Sequence, residues 1–252
     1  PYQNNSAATD FGIPLRLHAD VGESIQRASL EKTYQQIISD LQNAITLLPN
    51  TAQYKTRPSK PAAYALLART FQTMQEYDKA LLYADSCLQL ENTLIDFNAL
   101  DSTQSFPIAR FNDEVLFNCV NVGSSIVLAG RARVDSILYN SYQDGDLRKS
   151  NFFKPGGSRG GWAFKGSYDG SPYQFGGIAT DEVYLIRAEA YARTGNTTQA
   201  LQDLNTLMLS RWRTGSYNPY TATSADQALQ FVLSERRKEL IFRGLRWTDL
   251  RR

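Results

Sequence analysis

Three aromatic residues in a glycine-rich segment could bind a ligand: Trp162, Tyr168 and Tyr173. They lie among Gly, Ser and Asp residues, where burial by regular packing is less expected than inside an apolar run. Sugar rings present apolar C–H faces that can stack on exposed aromatic rings, while neighbouring polar groups bind the hydroxyls. The segment is therefore the best local candidate for contact with a ligand. The same rings could instead anchor a long loop to the rest of the protein, and the sequence leaves both interpretations open.

The composition around these rings is unusual for the chain. Residues 139–177 hold nine of the 16 glycines, together with further aromatic residues. Long irregular connections of this kind are commonly functional or disordered. Four polar residues of the same segment are candidate partners for sugar hydroxyls, and they are Asn151, Arg159, Lys165 and Asp169.

The sequence offers little for catalysis. Its single histidine, His18, lies in a turn-rich N-terminal segment without an accompanying nucleophile motif. No glycine-rich phosphate-binding motif occurs. The run Asp144-Gly145-Asp146 lacks the remaining ligands of a calcium loop, so we interpret it as a turn. No carboxylate pair stands out for glycoside hydrolysis. We therefore predict a protein that is not an enzyme and that needs no cofactor and no metal.

Charge and cysteine content exclude further classes. The 27 basic and 25 acidic residues nearly cancel, and no basic run is interleaved with aromatic residues, so we predict no nucleic-acid partner. No apolar run is long enough to span a membrane. Cys87 falls in a helical apolar pattern and is expected to be a buried thiol. Whether it pairs with Cys119 is open.

Most of the remaining chain predicts helices. Apolar residues recur at three- and four-residue spacing over 29–48, which predicts a helix that Pro49 ends. Residues 59–90 predict a helical hairpin with a break near Gln75, and a similar pattern returns 120 residues later. The alternation of small and large residues is typical of tetratricopeptide-like hairpins, although ordinary helical hairpins also place alanine at crossings. The aligned pairs are Tyr64 with Tyr184, Ala68 with Ala188, Phe71 with Tyr191, Ala80 with Ala200 and Leu81 with Leu201.

The stretch 234–252 mixes dense charge with apolar residues. It predicts a helix that begins at Ser224 as N-cap and stops at Gly244. Trp247 is then expected to pack the following turn onto the core. Acidic and arginine side chains lie within one or two helical turns of each other, so we interpret them as structural ion pairs and not as ligand contacts. These residues are Glu235, Arg236, Glu239, Arg246 and Asp249.

This stretch resembles the C-terminal signature of the SusD/RagB family of surface glycan-binding lipoproteins. Arg243 departs from the family, which usually has an acidic residue before the glycine. Two further blocks, at 34–49 and 181–205, also resemble the family. The matching residues of the signature are Glu235, Arg236, Arg237, Glu239, Leu240, Phe242, Gly244, Arg246, Trp247, Asp249, Leu250 and Arg252.

The resemblance implies an all-α fold of tetratricopeptide-like hairpins with a long loop-rich excursion. Residues 1–252 would form a single domain. Its parts would be a first helix and hairpin at 29–90, an aromatic excursion at 95–178, and a second hairpin with the signature helix at 180–252. Because family members extend further at both ends, we expect the chain to be a truncated fragment.

The resemblance also implies a function. The protein would be lipid-anchored in the outer membrane at the cell surface, through an anchor outside this fragment. It would capture an oligosaccharide, a polysaccharide or a related nutrient without catalysis. It would then deliver the ligand to a SusC-like TonB-dependent transporter.

Two other functions are alternatives. A tetratricopeptide-like scaffold would bind a protein or peptide in a polar and aromatic groove along the hairpins. A glycosidase, which ranks behind both, would need two carboxylates that face each other across a cleft, one of them with a raised pKa. The sequence does not specify which glycan is bound.

Overall fold

The computed structural model describes residues 2–20, 22, 26–121, 125–166 and 168–252. The prediction of a mostly helical architecture is confirmed. None of the described helices is both long and apolar enough to cross a membrane. The helices are α1 (Leu30–Leu47), α2 (Lys60–Thr73), α3 (Tyr77–Leu90), α4 (Ser136–Asn140), α5 (Arg148–Phe152), α6 (Thr180–Arg193), α7 (Thr197–Leu209), α8 (Ala225–Glu239) and α9 (Arg246–Asp249).

The strands are short, and they pair only in antiparallel two-stranded ladders within the described ranges. The ladders join β1 with β2, β3 with β8, β4 with β7, and β5 with β6. The strands are β1 (Phe11–Pro14), β2 (Arg27–Ser29), β3 (Val115–Phe117), β4 (Val120–Asn121), β5 (Phe153–Pro155), β6 (Trp162–Phe164), β7 (Gln174–Phe175) and β8 (Ile178–Ala179).

Serine caps fix the starts of three helices. Ser29, Ser59 and Ser224 precede α1, α2 and α8, and each hydroxyl accepts a hydrogen bond from the backbone N–H three residues later. Such a cap satisfies a donor that has no partner inside the helix. At the other end of α1, Leu48 is extended before Pro49, as expected for a residue that precedes proline. The predicted helix over 29–48 and the predicted starts at Ser59 and Ser224 are therefore confirmed.

The two helical hairpins share one register. Helices α6 and α7 begin at Thr180 and Thr197, and α2 and α3 begin at Lys60 and Tyr77, so the offset is 120 residues in both cases. The turns between the paired helices also correspond. The aligned small residues at the helix crossings are fully buried, and they are Ala68, Ala80, Ala188 and Ala200.

The turn of each hairpin contains one residue in the left-handed region, Gln75 (φ 63°) in the first and Gly195 (φ 85°) in the second. We expect Gly195→Ala to lower the free energy of unfolding by about 1 kcal/mol, because this region is unfavourable for residues that carry a Cβ. A Cβ at Gly195 would contact no atom within 4 Å, so the cost comes from the backbone alone. Gln75→Gly should not lower stability. Urea denaturation of both variants tests this, and an equal loss in both would contradict it.

Helix α6 lies in the middle of the helical body, where it packs against α2, α3, α7 and α8. Almost every residue of α6 is buried, including three acidic ones, Asp181, Glu182 and Glu189. Buried carboxylates need charged or hydrogen-bonding partners. The partners come from other elements, as described below.

The excursion between α3 and α6 is irregular in backbone but well packed. It contains α4, α5 and several short strands, so the prediction of a long loop is refined to a set of short elements. It also has an apolar cluster of its own, separate from the core of the helical body. The buried aromatic residues of this cluster are Phe97, Tyr142, Phe152, Phe153, Phe164, Tyr168 and Phe175.

Helix α8 ends at Glu239, before the predicted stop at Gly244. Phe242 adopts a left-handed conformation (φ 58°), and its ring stacks on Phe164 of the excursion with centroids 4.7 Å apart. The predicted helix end is therefore wrong by several residues. The contact of Phe242 with a segment distant in the chain could not be predicted from local sequence.

Both cysteines are free thiols. Cys87 is buried in α3 and Cys119 is exposed. Burial raises the pKa of the Cys87 thiol to about 12. Cys87 therefore stays protonated at neutral pH and acts as a small apolar residue, as expected.

Candidate functional site

A cleft on the excursion, which we call the Trp162 cleft, is the candidate site. It has a volume of about 800 Å³, and it forms where the β5–β6 ladder, α4, α5 and the loop 101–105 meet. Its lining combines aromatic with polar and charged side chains, as expected of a ligand site. The lining residues are Ser102, Thr103, Gln104, Ser105, Tyr139, Gln143, Asp144, Gly145, Asp146, Leu147, Lys149, Ser150, Phe153, Lys154, Pro155, Trp162, Lys165 and Arg213.

A stacked aromatic pair forms part of the lining. Trp162 lies on β6 opposite Pro155 of β5. Its ring stacks on Tyr139 of α4, with centroids 4.1 Å apart and planes 12° from parallel. Phe153 meets the Tyr139 ring edge-on at 5.4 Å. Both members of the pair are only partly buried. The pair is thus an aromatic surface that its neighbours hold in place.

Lys165 joins two sides of the cleft. Its Nζ donates to the carbonyl oxygens of Ser102 (2.6 Å) and Ser150 (2.9 Å). Burial, with a smaller effect of Lys154, lowers the pKa of Lys165. Since an ammonium group has three N–H donors, one donor remains for a ligand in the cleft.

The loop 101–105 is held by its own hydrogen bonds. The exposed Asp101 carboxylate accepts from the backbone N–H of Thr103 (2.9 Å), from the Thr103 hydroxyl (2.6 Å) and from the Gln104 amide (2.9 Å). These hydrogen bonds lower the pKa of Asp101 to about 2. The loop therefore presents its polar side chains to the cleft in a fixed conformation.

Behind the cleft lies a buried network of ion pairs, with Arg211 at its centre. Its Nε donates to Glu239 at 2.7 Å. One terminal nitrogen donates to both oxygens of Glu114, at 2.8 and 2.9 Å, and to the Tyr168 hydroxyl at 3.1 Å. Burial would raise the pKa of Glu239, but Arg211 and Arg148 outweigh this effect and lower it to about 2. Glu239 is therefore ionised in the folded protein.

Arg148, at the start of α5, continues the network. It is fully buried and donates to both oxygens of Asp146 (2.8 and 2.6 Å), to Glu235 (2.6 Å) and to Glu239 (3.0 Å). Asp146 and Arg148 belong to the excursion, whereas Glu235 and Glu239 belong to α8. The network therefore fastens the element that carries one side of the cleft to the helical body.

Arg243 forms a third buried pair. It donates to both oxygens of Asp181, at 3.0 and 2.6 Å, and its guanidinium lies 4.1 Å from the centroid of the Tyr168 ring. An acidic side chain at position 243 would face the Asp181 carboxylate without this compensation. Arg243, which stands where the family usually has an acidic residue, is therefore paired with an acidic neighbour, Asp181.

Comparison with known protein families identifies the chain. A family model described as "Starch-binding associating with outer membrane" matches residues 2–71, and one described as "SusD family" matches residues 180–252. The two models together cover more than half of the chain. The chain belongs to the SusD/RagB family.

Solved structures of SusD-like proteins share the fold. A SusD superfamily protein from Bacteroides vulgatus is 24% identical with a TM-score of 0.78, and the match covers 98% of this chain and 60% of that protein. A SusD-like carbohydrate binding protein from the same species is 22% identical with a TM-score of 0.71, covering 94% and 55%. A SusD-like carbohydrate binding protein from Bacteroides fragilis is 16% identical with a TM-score of 0.71, covering 97% and 63%. This SusD-family chain thus spans less than two thirds of these proteins. No curated protein matches it significantly.

In this SusD-family chain, the signature residues hold its last turn in place. Arg236 donates to both oxygens of Asp249 at 3.1 Å, and Arg252 donates to Glu189 of α6 at 2.7 Å and to Asp249 at 3.1 Å. Four of the five residues therefore form structural ion pairs as predicted, although the arginine partners of Glu235 and Glu239 are the distant Arg148 and Arg211 and not arginines of the same stretch. The prediction is wrong for Arg246, which is exposed and has no ion pair with a described residue.

The expected packing of Trp247 onto the core is also wrong. Its side chain is 70% exposed, and Leu250 is 60% exposed. Helix α9 is held by the ion pairs of Asp249 and Arg252 instead of by these apolar residues. Trp247 lines a second, largely apolar cleft of about 600 Å³ beside α8.

The structure separates the three predicted site residues of this SusD-family chain. Trp162 lines the cleft, and Tyr173 is 50% exposed but does not line it. The expectation of an exposed ring at Tyr168 is wrong, because the side chain is fully buried. Its hydroxyl donates to Glu114 at 2.5 Å and lies 3.1 Å from Asp181. Tyr168 therefore anchors the excursion, as the alternative interpretation predicts.

The four polar residues that were predicted to bind sugar hydroxyls also lie in different places. Lys165 lines the cleft, whereas Asn151 and Asp169 are buried elsewhere in the excursion. Arg159 is exposed outside the cleft and donates to the carbonyl oxygen of Gly130 at 3.0 Å. One of the four is thus placed where it could contact a ligand bound beside Trp162.

Sequence reasoning missed Tyr139 and Lys149 as lining residues of the cleft. Tyr139 follows Asp135, whose side chain caps α4, and this cap could have predicted the helix. Nothing in the sequence indicates that Tyr139 meets Trp162, 23 positions later. The Lys149 ammonium lies 5.3 Å from the Tyr139 centroid, a contact that also depends on the packing of α5 against α4.

Proposed function

We propose that this chain captures a glycan in the Trp162 cleft without cleaving it. The observation that carries the proposal is the stacked Trp162–Tyr139 pair, which lies in a cleft rich in hydrogen-bonding groups. An apolar ring face binds the C–H face of a sugar, and rigidly held rings lose little entropy on binding. Family membership and the descriptions of two similar structures as carbohydrate binding proteins support the proposal.

The carboxylates of the cleft support binding without hydrolysis. A glycosidase needs two carboxyl groups that act on the scissile bond. Two aspartates line the cleft, Asp144 and Asp146, but both oxygens of Asp146 bind the buried Arg148. Asp144 is the one lining carboxylate that has no ion pair with a described residue.

On this proposal the protein works at the bacterial surface. We infer that the full-length protein is lipid-anchored in the outer membrane and passes its ligand to a SusC-like TonB-dependent transporter. The support is family membership, since one matching family model is described as associating with the outer membrane. The alternative, a scaffold that binds a protein or peptide, predicts a groove along the two hairpins. The Trp162 cleft lies on the excursion instead, which favours the glycan.

We expect Trp162→Ala to weaken glycan binding by about 1 to 3 kcal/mol, the scale of an aromatic anchor at a binding site. Isothermal titration against a panel of soluble oligosaccharides and polysaccharides measures this change. Trp247→Ala is the matched control, because Trp247 is an exposed tryptophan outside the cleft. Tyr173→Ala, measured in parallel, tests the remaining predicted ring.

Two results would contradict the proposal. One is unchanged affinity in a folded Trp162→Ala protein, and the other is an equal loss in the Trp247→Ala control. Absence of binding to every glycan by the unaltered chain would favour the scaffold alternative.

A further inference from the structure

Four basic side chains line the Trp162 cleft: Lys149, Lys154, Lys165 and Arg213. None of them forms an ion pair with a carboxylate of the described residues. Basic and acidic residues nearly balance over the whole sequence, 27 against 25. The excess of positive charge is therefore local to the cleft and does not follow from the overall composition.

The nearby carboxylates offset only part of this positive charge. Asp146 binds Arg148 through both oxygens. Asp101, beside the cleft, accepts three hydrogen bonds from its own loop, and its charge acts on Lys165 without forming an ion pair. Asp144 in the lining and Asp101 beside it are thus the two carboxylates of these described residues that no arginine binds, against four cations. A cleft with this balance attracts anions and repels cations.

Hydrogen bonds hold the ammonium group of Lys165 in a fixed place in the cleft. Its side chain is 9% exposed, and its two hydrogen-bond acceptors are neutral carbonyl groups of Ser102 and Ser150. The charge of Asp101 acts on this ammonium from a distance, but no carboxylate of the described residues forms an ion pair with it, and an anion that reaches it offsets the remaining desolvation cost. A solvated surface lysine would not need such a partner. The arrangement thus calls for a negatively charged ligand group.

We infer that the ligand of the Trp162 cleft is an acidic glycan, whose sugar rings carry carboxylate or sulfate groups. This inference rests on the proposed function and narrows its substrate class. A sugar ring stacks on the Trp162–Tyr139 pair, and its acidic group reaches Lys165, with Lys149 and Lys154 as further partners. The charge-assisted hydrogen bonds select the acidic sugar over its neutral counterpart.

The test compares ligands that share a sugar backbone and differ in charge. Oligogalacturonate is titrated beside its methyl ester, and dextran sulfate beside dextran. We expect at least one acidic member to bind about tenfold or more tightly than its neutral counterpart, as for two or more ion pairs at a partly exposed site. Its affinity should fall as salt is added, because salt screens exposed charges. The pair that shows the difference identifies carboxylate or sulfate as the recognised group.

A charge-neutralising variant assigns the effect to the cleft. Lys149→Gln combined with Lys154→Gln should lower the affinity for the acidic glycan about tenfold and leave the salt dependence shallower. Lys32→Gln, an exposed lysine of α1 outside the cleft, is the control and should change neither the affinity nor its salt dependence.

Two outcomes overturn the inference. One is equal binding of the acidic and neutral members, and the other is an equal effect of the control. If Trp162→Ala then abolishes binding of a neutral glycan, the proposed function stands and the inference of an acidic ligand does not. Absence of binding to all four ligands and to the wider panel overturns both the inference and the proposed function.

Discussion

Replacement of Arg211 by methionine is expected to lower the free energy of unfolding by about 3 to 5 kcal/mol, the cost of removing one partner from a buried ion pair. Methionine keeps much of the volume of the arginine stem but no charge. The change leaves Glu114 and Glu239 without the guanidinium that contacts both. Both carboxylates are fully buried, so water does not replace the lost partner. Chemical denaturation followed by circular dichroism measures the loss.

The matched control is Arg237→Met. Arg237 pairs with Asp135 at 3.3 Å, but the two side chains are 37% and 50% exposed. An exposed pair is worth about 1 kcal/mol or less. A similar loss in the two variants would contradict the role assigned to burial.

The second large effect concerns pH. Burial raises the pKa of the Glu114 carboxyl from 4.5 to about 7, although Arg211 opposes the shift. Between these values the folded protein holds a proton that the unfolded chain releases. The free energy of unfolding therefore falls as pH rises through this window, by up to about 1.4 kcal/mol per pH unit from this group. We expect Glu114→Gln to remove this contribution, so that the pH profile of the variant is flatter or rises where that of the unaltered protein falls.

Denaturation at several pH values from 4 to 8 measures both profiles. Glu189→Gln is the control, because hydrogen bonding and charge from Arg252 outweigh burial and lower the pKa of Glu189. The stabilisation from the ionised Glu189 is present above the pKa that it has in the unfolded chain, and it is lost as pH falls through its pKa in the folded protein. Glu189→Gln should therefore lower the free energy of unfolding without changing how that free energy depends on pH above 4.5. Parallel profiles of Glu114→Gln and the unaltered protein would show that Glu114 does not hold the proton.

The same network positions the candidate site. Glu114, Asp146 and Arg148 come from the excursion, and Arg211 and Glu239 come from the helical body. Because each arginine bridges the two parts, α5 and its neighbours have a fixed orientation relative to α8. The Trp162 cleft is built on these elements. Buried ion pairs of this kind contribute orientation more than net stability.

The sequence by itself determined the local elements of this protein. Apolar spacing predicted α1 and the two hairpins, and Ser224 as N-cap predicted where α8 begins. These features depend on residues three or four positions apart, so they can be read along the chain. The signature residues were enough to identify the family and to predict which of them form structural ion pairs, but not that Glu235 and Glu239 pair with the distant Arg148 and Arg211.

The tertiary structure alone decided which rings and charges are available to a ligand. Tyr168 and Tyr173 lie five positions apart in similar glycine-rich surroundings, yet the first is fully buried and the second is half exposed. Trp162 forms a surface only because Tyr139 of another element stacks on it. Exposure, stacking and charge balance depend on contacts between residues that are distant in the chain. Amino-acid type and local spacing do not encode such contacts, and folding brings them together.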